Sequence, residues 1–365
     1  MPDPAADDRP TAGRLDADVL LASGRWQEAL DRYDALLAAG EDDPRRRAEL
    51  LRGRAEALCR LFRGREAIPP AAEAAELFDA LGLPADAAWA RYWQAGAHGI
   101  ADEPGKSRTI LLDLLAAERA GLEVAPDFRF RLLVVLGNTE AWDGQPERAL
   151  TYMEEARSLI GSVSLTQEAA FLAGLALQYR FVGDLEESIR LGDRCVALYR
   201  ESGAKQEQGA MQTNLALNFI DLGNTSRADA LLREARVLID RHGDRVSHSN
   251  LIEAEARLAL AQGDAAKTVE RAEAALAAAA SGGSYLAAVA AHRTLARLAI
   301  RAEDWREAET QFSAAATFLR EHRAQFVLRD LLAEWADMRS DVGDSAGANA
   351  LYAEALGRRT PSKGA

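Results

Sequence analysis

The sequence predicts an all-α chain, a solenoid of nine helix-turn-helix repeats, and three observations carry that prediction. The composition is helical: Ala, Leu, Arg and Glu dominate, aromatic residues make up 6% and only 11 of 365 residues are Pro, which suits helices better than strands. A turn-like pivot recurs about every 40 residues, which marks a repeat array. From Gly263 the steps reach Gly24, Gly64, Pro104, Gly144, Gly223, Glu303 and Gly343, and one shorter repeat places its pivot at Gly183. Around each pivot stand columns of small residues. Seven positions upstream are Ala17, Ala57, Ala97, Gly137, Ala176, Ala216, Ala256, Ala296 and Ala336. Five downstream are Ala29, Pro69, Thr109, Ala149, Ser188, Ala228, Thr268, Ala308 and Ala348. Twelve downstream are Leu36, Glu76, Ala116, Ala156, Cys195, Ala235, Ala275, Ala315 and Ala355. Two antiparallel helices approach closely only where facing residues are small, so these columns mark the crossing of a first and a second helix within each repeat.

In chain order, residues 1–8 form an acidic, Pro-containing tail predicted to be disordered. The repeats follow at approximately 9–43, 44–83, 84–124, 125–163, 164–203, 204–244, 245–283, 284–323 and 324–359, with 360–365 as a second disordered tail. Repeat 1 turns at Gly24 with Trp26 two residues on, as Trp305 stands in repeat 8, so both are expected to pack on their turns; Trp93 takes the large-aromatic position of a first helix. Repeat 2 departs from the pattern: Pro69 and Pro70 are placed at the head of its second helix, where proline is tolerated, and the turn must be rebuilt. Repeat 3 has a turn lengthened by His98–Ser107. Large residues fill the space between the small columns: Leu136, Leu175, Leu215, Leu295 and Trp335 on first helices, and Tyr33, Met153, Leu232, Phe312 and Tyr352 on second helices. In repeats 5, 6, 7, 8 and 9, Asp184, Asn224, Asp264, Asp304 and Asp344 stand just after the turn as helix caps, and Glu187 and Glu307 complete a capping-box spacing. No helix beyond Arg358 covers the last apolar face, so homodimerisation through the C-terminal repeat is the alternative use of that end.

The small–glycine–small–small spacing, with Leu before the first small residue, resembles the tetratricopeptide repeat; Thr213–Ile239 is the nearest match. Repeats of about 40 residues rather than about 34 resemble the lengthened units in the sensor regions of maltose-activator-type bacterial regulators and in kinesin light chains. The resemblance spans residues 9–359. It implies a right-handed superhelix whose first helices line a concave groove, and a groove lining of Arg91, Gln94, His98, Arg131, Asn138, Trp142, Arg180, Asn214, Asn250, Arg257, Arg293, Arg297 and Arg301. Asn214 matches the column from which such proteins bond a ligand's backbone. The family's two-lysine, two-asparagine clamp for C-terminal carboxylates is not matched.

Several function classes are excluded. A net charge of −13 argues against nucleic acid, which requires cationic surface, and against an anionic membrane. No run of about 18 apolar residues is present, and the N-terminus lacks a signal-peptide core, which predicts a cytoplasmic protein. Cys59 and Cys195 lie far apart in helical pattern, suiting neither a disulfide framework nor a thiolate metal site. Gly105-Lys106-Ser107 resembles the end of a phosphate-binding loop, but Ile100 stands where its first glycine is required and a helix precedes it. His98, His242, His248, His292 and His322 have no metal-ligand spacing. No catalytic residue, cofactor or metal is expected. Arg293, Arg297 and Arg301 form one stripe facing Asp330, Glu334, Asp337 and Asp341 of the next first helix, with Asp337 beside Arg297, which suits either an anionic ligand or pairing between helices. The expected function is a non-enzymatic module that binds a protein or peptide in its groove, as the sensing or adaptor component of a bacterial regulatory pathway. The alternatives are a self-associating scaffold and a regulator that binds a small effector.

Overall fold

The computed structural model describes residues 12–101, 103–162, 164–322 and 324–356. Its elements are α-helices, with one short 3-10 turn (Ile160–Ser162) and no strand among the described residues. The helices are α1 (Ala12–Ala22), α2 (Trp26–Ala38), α3 (Pro44–Arg60), α4 (Gly64–Ala80), α5 (Pro84–Ile100), α6 (Pro104–Arg119), α7 (Phe128–Trp142), α8 (Pro146–Arg157), α9 (Leu165–Phe181), α10 (Leu185–Ser202), α11 (Lys205–Asp221), α12 (Thr225–His242), α13 (Arg245–Gln262), α14 (Ala265–Ala280), α15 (Tyr285–Arg301), α16 (Trp305–Glu321), α17 (Gln325–Asp341) and α18 (Ser345–Ala355). They fall into two compact units, Met1–Ser162 and Val163–Ala365. The sequence tails expected at 1–8 and 360–365 lie outside the described residues.

Odd-numbered helices are the first and even-numbered helices the second of each hairpin. The upstream small column is buried throughout: its eight alanines are at most 1% exposed, and a Cβ on Gly137 would stand 2.7 Å from Met153 Cγ. At the α9–α10 crossing the approach is close enough for Ser188 Oγ to donate to the Ala176 carbonyl at 2.7 Å. Tyr33, Met153 and Phe312 from second helices, and Leu136, Leu175 and Leu215 from first helices, fill the spaces between and are essentially inaccessible. Burying each such side chain contributes about 1.5–3 kcal/mol, so packing of this face, more than helix propensity, holds each hairpin.

The turns correct the expected register in two repeats. In repeats 1, 4, 5, 6, 7 and 9 the predicted glycine pivots, Gly24, Gly144, Gly183, Gly223, Gly263 and Gly343, have φ between 72° and 87°, the left-handed region that glycine enters without steric cost. Repeat 8 turns at Glu303 with φ 57°. In repeat 2 the left-handed residue is Phe62, φ 57°, and Gly64 is the buried first residue of α4. The role of Gly64 is close approach: a Cβ there would meet the Ala97 carbonyl oxygen at 2.5 Å. Taking the first two columns two residues upstream in repeats 2 and 3 brings small buried residues to the crossings, with Ala55 and Ala95 at 0% and Ala67 and Ser107 at no more than 1% exposure. The expected Pro69, Thr109, Glu76 and Ala116 are not the crossing residues; all four are exposed.

Two further expectations change with this register. Pro69 and Pro70 lie inside α4 and remove two of its backbone donors; the fold tolerates the loss against a buried Pro70, Ala71, Ala74 and Ala75. The turn of repeat 3 is not lengthened: α5 runs to Ile100, and Gly105, Lys106 and Ser107 form the first turn of α6, where Lys106 pairs with Glu103 at 3.0 Å. Trp26 and Trp305 open their helices and are each 38% exposed, whereas Trp93 packs against the core of the N-terminal unit. The five expected caps all form: Asp184, Asn224, Asp264, Asp304 and Asp344 accept from the backbone N–H three residues on. A complete capping box stands at the start of α9, between Ser164 and Gln167.

Candidate functional site

In each unit, consecutive first helices pack on one another (α1 on α3, α3 on α5, α11 on α13, α13 on α15), while no two consecutive second helices pack to that extent. The first helices are therefore the inner layer of each unit, and their uncovered face carries the candidate residues.

In the N-terminal unit these residues are mostly committed to neighbours. Arg91 pairs with Asp79 of α4. His98 is buried, with Nδ1 2.6 Å from Glu103 Oε2. Arg131 donates from Nε to Asp127 at 2.6 Å, and its guanidinium lies over the Trp89 ring at 5.8 Å. Gln94 is half-buried and Asn138 exposed. Trp142 ends α7, but its side chain lies outside the described residues.

The C-terminal unit brings its candidates together. Arg180 of α9 donates to Asn218 Oδ1 and Asp221 Oδ2 of α11, each at 2.5 Å, and Arg257 of α13 donates to the other oxygen of Asp221 at 2.8 Å. Asn218 passes the network inward, donating to Ser188 Oγ at 2.8 Å. On α15, Arg293 donates to Glu334 Oε2 at 2.6 Å and Arg297 to Glu334 Oε1 at 2.5 Å. Burial would raise the Glu334 pKa, but the Arg297 hydrogen bond and the charges of both arginines hold it below the usual carboxylate range. The arginine stripe thus pairs with α17 through Glu334. Asp337, opposite Arg297 in the sequence reading, instead accepts from the Tyr352 hydroxyl. Arg301 leaves the stripe and donates to the Leu260 carbonyl at 2.6 Å. Asn214 and Asn250 are exposed on the same face with no side-chain partner among the described residues.

Sequence reasoning missed the acidic half of this network, Asp221 and Glu253. Glu253 is 5% exposed on α13 and its Oε1 has no hydrogen-bond partner. Burial raises its pKa, opposed by Arg257, Arg180, Arg293 and Arg297. The available signal was its place four residues before Arg257, on the helix face already assigned to the groove. No group of three or more His, Cys, Asp or Glu in the described residues is disposed to hold a metal, and no described helix is long and apolar enough to cross a membrane.

No protein-family model and no curated relative matches the chain. Solved structures do. A Rap protein complexed with competence and sporulation factor is 13% identical, covering 85% of this chain and 96% of its own, with a TM-score of 0.57. The apo form of the quorum sensor NprR from B. thuringiensis is 13% identical over 94% of this chain and 86% of its own, TM-score 0.60. A signal-transduction ATPase with numerous domains and a tetratricopeptide-repeat sensor, from Pyrococcus horikoshii, is 12% identical over 96% of this chain and 53% of its own, TM-score 0.57. At such identity the likeness is one of fold, and the fold is that of the tetratricopeptide-repeat proteins.

Proposed function

We propose that this chain is a non-enzymatic binding module that receives a peptide or protein segment on the first-helix face of its C-terminal unit, as the sensing or adaptor part of a regulatory pathway. The observation that carries this reading is the pre-ordered donor row on that face. Arg180, Arg257, Arg293 and Arg297 are each fixed by a carboxylate, and the exposed amides of Asn214 and Asn250 stand beside them. Arginines held in one geometry lose less entropy when a ligand arrives, and exposed side-chain amides can donate to and accept from an extended backbone. The structural likeness supports the same class: one protein of this fold was solved with competence and sporulation factor and another is a quorum sensor.

The test is selection from a displayed peptide library, with selected peptides assayed against wild type and an Asn214→Ala, Asn250→Ala, Arg257→Ala triple variant of unchanged helical content. Peptides that bind wild type and lose at least tenfold in affinity for the variant support the reading. Failure to select any peptide, or equal affinity for both proteins, defeats it.

A further inference from the structure

Four arginines of the C-terminal unit act on one carboxyl group, that of Glu253 in α13: Arg257 on its own helix, Arg180 on α9, and Arg293 and Arg297 on α15. Among the described residues, only two other carboxylates share those arginines. Asp221 accepts from Arg180 and Arg257, and Glu334 from Arg293 and Arg297. Four cations less two anions leaves a surplus of two positive charges around Glu253. Yet Glu253 does not take up that surplus as an ion pair: it is 5% exposed, its Oε1 has no partner, and among the described residues it forms no ion pair. Of the helices packed on α13, α11 presents Asp221 and Asn218, both engaged, and α15 presents Arg293 and Arg297. Helices α12 and α14 face the other side of α13, where Arg236 and Arg271 are taken by Glu255. A buried carboxyl without a donor is costly as an anion; carrying a proton, it becomes a donor. The protonated carboxyl then adds its O–H to the guanidinium donors around it, and the net charge is positive.

We infer that this cluster is a receptor for one oxyanion of the bound ligand, a carboxylate or a phosphate group, held by the arginines around Glu253 and by a proton donated from the Glu253 carboxyl. The inference rests on the ligand-binding reading above and names the chemistry of that ligand. Arginine suits the role because its planar fork matches both oxyanions. Ligand binding then takes up a proton wherever the free Glu253 is partly ionised, so affinity weakens as pH rises.

Calorimetric titration of the full chain with sulfate and with acetate, neither of which changes charge between about pH 6 and 8, reads the site directly, with chloride at matched ionic strength as reference. Sulfate stands for a phosphate group and acetate for a carboxylate, so the anion preferred identifies the source. The expected result is saturable binding of at least one anion, tighter at the lower pH, with proton uptake seen as a dependence on buffer ionisation enthalpy. Arg257→Ala and Arg297→Ala should each lower affinity at least tenfold. If either fails to fold, Arg257→Lys keeps the charge, loses the fork and should lower affinity severalfold. Glu253→Gln keeps a donor and should retain affinity within about threefold while abolishing the pH dependence. No saturable binding of either anion beyond the chloride reference, arginine variants that bind as wild type, or a pH dependence that survives Glu253→Gln would each overturn the inference. Selected peptides that bind regardless of Arg257 and Glu253 would overturn it while leaving the groove reading intact. Anion binding without any selected peptide would uphold the receptor and defeat the groove reading.

Discussion

The two units build the same helix crossings with different turn chemistry. In the C-terminal unit all five turns within hairpins are capped, by Asp184, Asn224, Asp264, Asp304 and Asp344. In the N-terminal unit the corresponding positions are Arg25, Arg63, Glu103 and Gln145, and none makes a side-chain cap. Arg25 and Arg63 instead pair with Glu28 and Glu66 three residues on, exposed pairs that contribute little. One N-terminal turn is also made by Phe62 at φ 57°, 81% exposed, where the C-terminal unit has mostly glycine. Hairpin geometry is thus set by the small columns, which both units share, and caps add stability to a crossing already determined.

The largest expected effect tests whether packing outranks the turn. Gly64→Ala puts a Cβ 2.5 Å from a backbone oxygen and should cost about 1–3 kcal/mol, read as a lowered midpoint in urea. Gly223→Ala has open space but a φ of 76° and should cost about 1 kcal/mol, the penalty of a left-handed residue. If Gly223→Ala is the more damaging, the ranking of packing over turns is wrong. Next come the caps: Asp264→Ala should destabilise the C-terminal unit by about 1 kcal/mol, and Gln145→Asp should stabilise the N-terminal unit by a comparable amount. Thermal melts in which Gln145→Asp brings no gain would mean that the N-terminal turns differ in more than their caps. Phe62→Gly should relieve a strained residue and raise the melting temperature slightly; a fall would show that the Phe62 side chain supports its turn.

The smallest effect concerns charge. Arg297→Glu should cost less than about 1 kcal/mol because the pair is partly exposed, and adding Glu334→Arg should recover only part of the loss, since Arg293 shares Glu334. Full additivity in that cycle would rule out the pairing. Two acids of this face have opposite pH signatures. Glu334, held below its ordinary range, contributes stability present above its unfolded pKa and lost as pH falls. Glu253, pushed up by burial, favours the native state at low pH and opposes it as pH rises. Glu253→Gln should therefore raise the melting temperature more at pH 8 than at pH 5; an equal shift at both would mean that Glu253 does not titrate across that range.

The fold was largely legible because its determinants are local and periodic. Seven of the nine upstream small residues, six of the seven glycine turns and the five Asp/Asn caps stand where spacing put them. The register of repeats 2 and 3 was not, because Ala55 with Ala57 and Ala95 with Ala97 offer two alternatives, all four residues being buried. A pattern in one chain cannot choose between them; the approach of Gly64 to Ala97 does. The site was legible as a face but not as a network. The partner of Arg297 proved to be Glu334, about one turn from Asp337, because helix axes need not align repeat by repeat. Glu253 is one of 57 acidic residues, distinguished only by arginines that arrive from α9 and α15.

Asp221 is held by Arg180 of the fifth repeat and by Arg257 of the seventh, while belonging itself to the sixth. In a linear array each repeat ordinarily feels only its immediate neighbours. A carboxylate shared in this way adds a coupling between repeats that do not adjoin, as a strut spanning two bays stiffens both. A disturbance at the fifth repeat then reaches the seventh without first unfolding the sixth, and the distance over which the array moves as one body exceeds a single repeat. Asp221→Asn would shorten that distance while leaving every apolar interface in place.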